Sequence, residues 1–362
     1  MMMKYLLAID QGTTGTTAMV FDEKGDPRSK FNQEFPQHFP RSGWVEHDPD
    51  EIWQSVRIAV EKALREAGIS AGDLAAIGIT NQRETSVFWY RGTTRPYGNA
   101  IVWQCRRSTE ICERLKVNGH EELFKSRTGL VIDPYFSGTK IAWMMENDPE
   151  FARLAQAGEV IFGTVDSWLI AKLTGGRIHV TDYSNASRTL IFNIHDLNWD
   201  PDLLGILGIP SSILPEVADS SAVVGYTDRE EFFGASVPIS GIVGDQQSAL
   251  FGQACYKPGM TKNTYGTGSF VLMNTGEKAV QSNYGMLTTI AWRYNQSVTY
   301  ALEGSIFITG AAIQWLRDGL KIIESASEAG AIAAEVEDTG GVYFVPAMVG
   351  LGAPYWDPYA RG

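Results

Sequence analysis

The sequence predicts an α/β chain built from two similar units, on three observations. The stretch Asp10-Gln11-Gly12-Thr13-Thr14-Gly15-Thr16 lies between apolar runs at 5–9 and 18–21 and reads as the tip between two strands. A second glycine and hydroxyl tip, Thr264-Tyr265-Gly266-Thr267-Gly268-Ser269, is again followed by an apolar strand, 270–273, and by a turn at Asn274-Thr275-Gly276. Between and beyond the tips, short apolar runs alternate with segments of helical period. A tip that recurs with its strand attached, far along the chain, implies two related units.

Taken in order, strands at 5–9 and 18–21 are followed by turn residues at 22–27, and 32–47, rich in Phe, Pro and His, reads as loop or irregular strand. Asp48-Pro49-Asp50-Glu51 supplies an N-cap, a proline at N1 and a carboxylate at N3. Ile52, Val56, Ala59, Val60, Ala63 and Leu64 then share one helical face, which Gly68 ends. A buried strand at 74–79 runs into Thr80-Asn81-Gln82-Arg83-Glu84, and in open α/β sheets ligands sit at such strand ends. Strands are expected at 85–90 and 100–103, and helices at 108–116, 136–146 and 165–173. A strand at 239–243 ends at Gly244-Asp245-Gln246-Gln247, and a helix at 248–255 closes the first unit. The domains are therefore drawn at 1–253 and 254–362. In the second, a helix is expected at 305–320, with Ile306, Ala311, Ile313 and Leu316 packing, and a strand at 342–346.

With 362 residues and 44% hydrophobic content the chain can bury a large core. A net charge of -12 and no basic run longer than Arg106-Arg107 exclude nucleic acid as a partner. Three cysteines, Cys105, Cys112 and Cys255, lack metal spacing and fit a reducing compartment. The first apolar run stops at Asp10 without a cleavage pattern, and 340–356 is broken by Pro346, Pro354 and glycines, so a cytoplasmic protein without a membrane span is expected.

The first tip joins two strands, which excludes the dinucleotide fingerprint and the Walker loop, since both need a helix directly behind the glycines. What remains is a tight tip whose N–H groups and hydroxyls can surround phosphate oxygens, with Asp10 placed to hold a hydrated magnesium ion. The same heptapeptide could be a plain hairpin turn; the second tip favours two hairpins meeting at the phosphates of one nucleotide. Arg83 and Glu84 alone would read as a surface pair, but a buried strand delivers them to a strand end. Trp103 at a strand end offers either core packing or an apolar face to a polyol, and Tyr135 is equally open. Asp245 follows Gly244 at a strand end, where its carboxylate can accept a hydroxyl proton during phosphoryl transfer or cap the next helix. Gln246 can hydrogen-bond a second hydroxyl.

Seven motifs in one order resemble the FGGY carbohydrate kinases over the chain from Tyr5 to its last residue. They are Asp10-Gln11-Gly12-Thr13-Thr14, Asn81-Gln82-Arg83-Glu84-Thr85, Trp103-Gln104-Cys105-Arg106-Arg107, Thr164-Val165-Asp166-Ser167-Trp168-Leu169, Thr181 to Thr189, Gly244-Asp245-Gln246-Gln247 and Tyr265-Gly266-Thr267-Gly268. The resemblance implies an actin-like, ribonuclease H-like two-domain ATPase fold and ATP-dependent phosphorylation of glycerol to sn-glycerol 3-phosphate. By motif match Arg83, Glu84, Tyr135, Asp245 and Gln246 would bind hydroxyls, with Asp245 as the base, and Trp103 and Phe270 would pack the carbon backbone. Thr13, Thr14, Thr267, Gly310 and Gln314 would meet ATP, with Asp10 and Asp245 near Mg2+. Another polyol or pentulose kinase, or a non-catalytic actin-like binding module, stays open, as does a homo-oligomer.

Two departures stand out. The family commonly carries an arginine a few residues beyond the first tip, where this sequence has Thr17, so slower turnover or a substitute cation is expected. The resemblance also implies a second domain that is incomplete, ending before the later glycine-rich adenosine motif. Glycerol binding is then expected to survive better than ATP binding, and 261–362 to expose apolar surface.

Overall fold

The computed structural model describes residues 4–360 and organises them around two sheets. The first sheet has the spatial order Gly225–Tyr226, Pro238–Gly244, Leu74–Asn81, Tyr5–Gln11, Gly15–Phe21, Pro27–Glu34. The last three strands form an antiparallel meander, while Leu74–Asn81 and Pro238–Gly244 run parallel to Tyr5–Gln11. A meander extended on one side by parallel strands is the ribonuclease H-like arrangement. Register brings Gln11, Asn81 and Gly244 side by side at one end of the sheet, so the segments that follow each of them converge there.

Helix Pro49–Ala67 covers one face. Asp48 accepts the Asp50 N–H at 2.8 Å, Pro49 begins the helix, and Gly68 ends it in the left-handed region at φ 70°, its N–H donating to the Leu64 and Arg65 carbonyls. Glu51 does not turn back to the cap but pairs with His38 at 2.7 Å. The expected stripe from Ile52 to Leu64 is buried against Leu7, Ile9, Ala18 and Val20, each full-sized side chain contributing on the order of 2 kcal/mol.

The second sheet is antiparallel throughout, in the order Thr261–Tyr265, Ser269–Gly276, Ser297–Ile306, Leu287–Tyr294. Its first hairpin carries the second tip. One apolar cluster joins the two halves, with Trp103, Tyr135 and Leu130 packed together with Phe270, Leu272, Leu287 and Phe307.

Several expectations are corrected. The helix expected at 305–320 spans only Gly310–Asp318; Ser305 and Ile306 end the Ser297–Ile306 strand, which is paired on both sides, so sheet pairing overrides the local helical period. No strand forms at 342–346, where Val342, Tyr343, Phe344 and Val345 are exposed. Within 32–47, the first residues complete the Pro27–Glu34 strand. The strand at 100–103 shortens to Ala100–Ile101, leaving Trp103 in the turn beyond it, and the helix expected from 248 begins at Asp245. Helices Glu121–Thr128, Pro149–Gln156 and Pro201–Leu207 were not legible. All three cysteines are buried and unpaired. Among the described residues no helix is long and apolar enough to cross a membrane.

Candidate active site

The first tip is prepared for an anion by what happens to its carbonyls. Gly12 O accepts from the amides of Gln11 at 2.8 Å and Gln82 at 3.2 Å, Thr13 O from Gln37 at 2.8 Å, and Thr14 O from the Phe35 N–H at 3.4 Å. With the carbonyls engaged by the protein, an approaching phosphate meets N–H groups and hydroxyls. Buried His47 holds this arrangement: its Nε2 donates to Gln37 Oε1 at 2.6 Å, and its Nδ1 lies 3.4 Å from the Gln82 amide nitrogen. Burial pushes its pKa down to about 3, so the ring stays neutral and can do both.

The second tip is docked on the start of helix Gly310–Asp318. Gly266 O accepts from Gly310 N–H at 2.9 Å, and Thr267 O from Thr309 and Ala311 N–H at 2.9 and 3.1 Å. A Cβ on Gly268 would lie 2.5 Å from Ile306 O, and one on Gly310 would lie 2.6 Å from Gly266 O, so only glycine permits this approach.

Between the tips lies a cleft of about 620 Å³, its open mouth included, lined by Thr13, Thr14, Gln82, Arg83, Glu84, Trp103, Tyr135, Asp245, Gln246, Thr264, Gly266, Thr267, Gly268 and Phe270. All the expected hydroxyl-binding residues therefore come together with residues of both tips. Thr267, Gly310 and Gln314 line a neighbouring hollow with Gly266, Ile313, Arg317 and Ala326. The two spaces share Gly266 and Thr267, as a nucleotide reaching from phosphates to base would require.

Beneath the cleft sits a buried charge cluster. Glu84 adopts a left-handed φ of 61°, its carbonyl accepting from Ser137 Oγ at 3.0 Å and Lys140 Nζ at 3.4 Å. Lys140 also donates to Tyr135 O, and burial lowers its pKa to about 7. The Glu84 carboxylate accepts from Arg188 Nε at 2.7 Å. Arg83 reaches Glu303 with both terminal nitrogens, Gln247 Oε1 at 3.2 Å and Asp245 Oδ1 at 3.2 Å. Burial pushes Glu303 up, but Arg188 and Arg83 outweigh it and hold the carboxyl at about 2.

Asp245 is raised, chiefly by burial against which Arg83 works. Gly244 occupies the N-cap position, and from the first helical position the Asp245 carboxylate accepts the Gln246 N–H at 2.7 Å, so it also serves the helix end. Asp10, exposed near the end of its strand, is raised to about 6 by its partial desolvation and by the Asp245 charge, with Lys30 partly opposing. A cation bound beside Asp10 would relieve the charge that Asp245 places on it. No group of three or more metal-ligating side chains occurs among the described residues. The Asp10 and Asp245 carboxylates, with phosphate oxygens and water, are the kind of donors a magnesium ion takes. Thr17, opposite Asp10 in the hairpin, accepts from Asn32 at 3.0 Å and brings no charge.

The aromatic wall differs from the simplest expectation. The Trp103 indole N–H donates to Thr13 Oγ1 at 2.9 Å, so the ring offers its apolar surface alone, edge-on to Tyr135 and Phe270 at 5.6 and 6.2 Å. The Gln246 amide is engaged by Lys262 Nζ and by Asp245 Oδ2 at 3.1 Å. Glu303, Lys262, Arg188, Phe307 and His47 were not singled out from the sequence. Glu303 left one trace there: it is the lone charge in the run Tyr300 to Ile306.

Residues 5–252 match the FGGY family of carbohydrate kinases, N-terminal domain, and 261–362 its C-terminal domain. The chain is 64% identical over 360 residues to glycerol kinase 2 of Thermotoga maritima, covering 99% of this chain and 72% of that protein. It is 62% identical over 359 residues to the glycerol kinase of Halothermothrix orenii, with the same coverages. The solved glycerol kinase of Plasmodium falciparum with ADP superposes at a TM-score of 0.85 with 39% identity, covering 99% of this chain and 72% of that one. The gluconate kinase of Lactobacillus acidophilus, at 0.83 and 23% identity over 99% of this chain and 72% of its own, shares the fold.

Proposed function

Because the chain belongs to the FGGY family of carbohydrate kinases, we propose that its cleft transfers the γ-phosphoryl group of ATP to a primary hydroxyl of glycerol, giving sn-glycerol 3-phosphate. The observation that carries this reading is the acceptor pocket, in which Arg83, Glu84 and Asp245 face Trp103, Tyr135 and Phe270 directly between the two tips. Glycerol is uncharged, with three hydroxyls on three carbons, and such a pocket supplies charged hydrogen-bonding groups for the former and apolar rings for the latter. An analogue lacking a hydroxyl would leave buried polar groups unpaired, a cost of about 1–3 kcal/mol for each.

In the reaction, a glycerol hydroxyl oxygen bonds to the γ-phosphorus, the bond to the bridging oxygen breaks with its electron pair leaving on ADP, and the hydroxyl proton passes to Asp245. Burial makes Asp245 a stronger base than an ordinary aspartate. Arg83 and Glu84 orient the other hydroxyls, Thr13, Thr14 and Thr267 hold phosphate oxygens, and Gly310 and Gln314 meet the rest of the nucleotide. Asp10 and Asp245 would hold Mg2+, which neutralises charge on the transferring phosphate when bound. We assign residues 1–253 to the domain carrying the acceptor site and 254–362 to the domain carrying the second tip, and place the protein in the cytoplasm.

Glycerol seated against Trp103 should change tryptophan fluorescence, and Trp103→Phe should abolish most of that change although nine other tryptophans remain. A signal untouched by the substitution would put the ligand elsewhere. A panel of glycerol, erythritol, xylulose and ribulose tests the substrate: glycerol should give the highest kcat/KM, and preference for a ketopentose would overturn the assignment.

A further inference from the structure

The charge cluster under the acceptor pocket is divided between the two sheets. Arg83 follows strand Leu74–Asn81 of the first sheet, and Glu303 lies on strand Ser297–Ile306 of the second. Glu303 Oε2 accepts from Arg83 Nη1 at 2.5 Å and Oε1 from Nη2 at 3.0 Å, a two-pronged pair that fixes the guanidinium plane. Oε1 also accepts from Arg188 Nη2 at 2.9 Å and Ser305 Oγ at 2.8 Å, so Glu303 is itself held rigidly. The other edge of Arg83 points through Nε to Asp245 at 3.2 Å, and Nη2 makes a long 3.5 Å contact with the Tyr135 hydroxyl.

An arginine side chain has several free torsions and aims at nothing unless a partner fixes it. Without Glu303, Arg83 would have Asp245 and Glu84 as its remaining anionic neighbours, and would be drawn toward the carboxylates that must handle substrate. With Glu303 in place its fork is occupied from below, and the edge toward Tyr135 and Asp245 faces the pocket. The 3.5 Å contact to the Tyr135 hydroxyl is weak, and a substrate hydroxyl can replace it.

We infer that Glu303 is a positioning residue which, from the second sheet, aims Arg83 at the acceptor hydroxyl, so that the acceptor pocket is complete only when the two sheets are docked. This rests on the glycerol reading of the pocket, and it departs from the expectation that Phe270 is the sole contribution from beyond residue 253.

The test compares the whole chain with Glu303→Asp and Glu303→Gln, measuring KM for glycerol, KM for ATP and kcat, with thermal unfolding alongside. Aspartate keeps the charge balance and so the fold, but one methylene fewer withdraws the fork. If Glu303 aims Arg83, Glu303→Asp raises the glycerol KM by about 10-fold to 100-fold while the ATP KM stays within about 2-fold, and Glu303→Gln is at least as impaired for glycerol. If Glu303 only balances charge, Glu303→Asp keeps the wild-type glycerol KM; that result, or parallel changes in both KM values, overturns the inference and leaves the glycerol reading intact. A wild-type chain that does not use glycerol overturns both.

Discussion

Asp245→Asn should lower kcat by about 10³-fold and leave glycerol binding within about 3-fold. Asparagine preserves the shape, and its Oδ1 can still accept from the Gln246 N–H and Arg83 Nε, as the carboxylate does at 2.7 and 3.2 Å. What it cannot do is take a proton. The substrate should therefore still bind, but the hydroxyl would carry its proton into the transition state. Single-turnover mixing with ATP, beside glycerol calorimetry, separates the two effects. Turnover within about 10-fold of wild type would remove Asp245 as the base, since general-base removal typically costs 10²–10⁴.

Arg83→Met should cost about 3–5 kcal/mol of folding stability as well as most glycerol affinity. Methionine fills comparable volume, so the loss comes from charge: Glu303, fully buried, would keep Arg188 alone, and Asp245 would lose its partner. The pH dependence gives a second signature. Held at about 2 in the folded chain, against an ordinary value near 4.5, Glu303 contributes stability that is fully present above about pH 4.5 and is lost as pH falls toward 2. In Arg83→Met the folded value rises toward the ordinary one, so this acid-labile component shrinks. Urea unfolding at pH 7 and near pH 3 would show it; an undiminished midpoint at pH 7 would mean that the cluster tolerates an unpaired carboxylate.

Local signals carried much of the site. The cap, proline and stripe at 48–68 define a helix on their own, and the first tip is legible because glycine and hydroxyls interrupt two apolar runs. Arg83, Glu84 and Asp245 could be marked because each directly follows a buried strand, and the sheet register brings those strand ends together. Contacts that depend on the second sheet were not legible. Glu303 lies just ahead of the helix expected at 305–320, and its strand character comes from neighbours on both sides. His47 acts through Gln37 and Gln82, a relation that exists only after the chain folds. Lys262 looks like a solvated strand residue until Gln246 and the Phe270 carbonyl are placed against it.

Phosphorus NMR of a single reaction follows the claimed transfer of phosphate from ATP to glycerol within this cleft. With ATP, magnesium and glycerol, the γ-phosphate signal should fall while sn-glycerol 3-phosphate appears in equal amount, and without glycerol ATP should persist. ATP left intact with glycerol present, or converted to inorganic phosphate at the same rate without it, would contradict the claim.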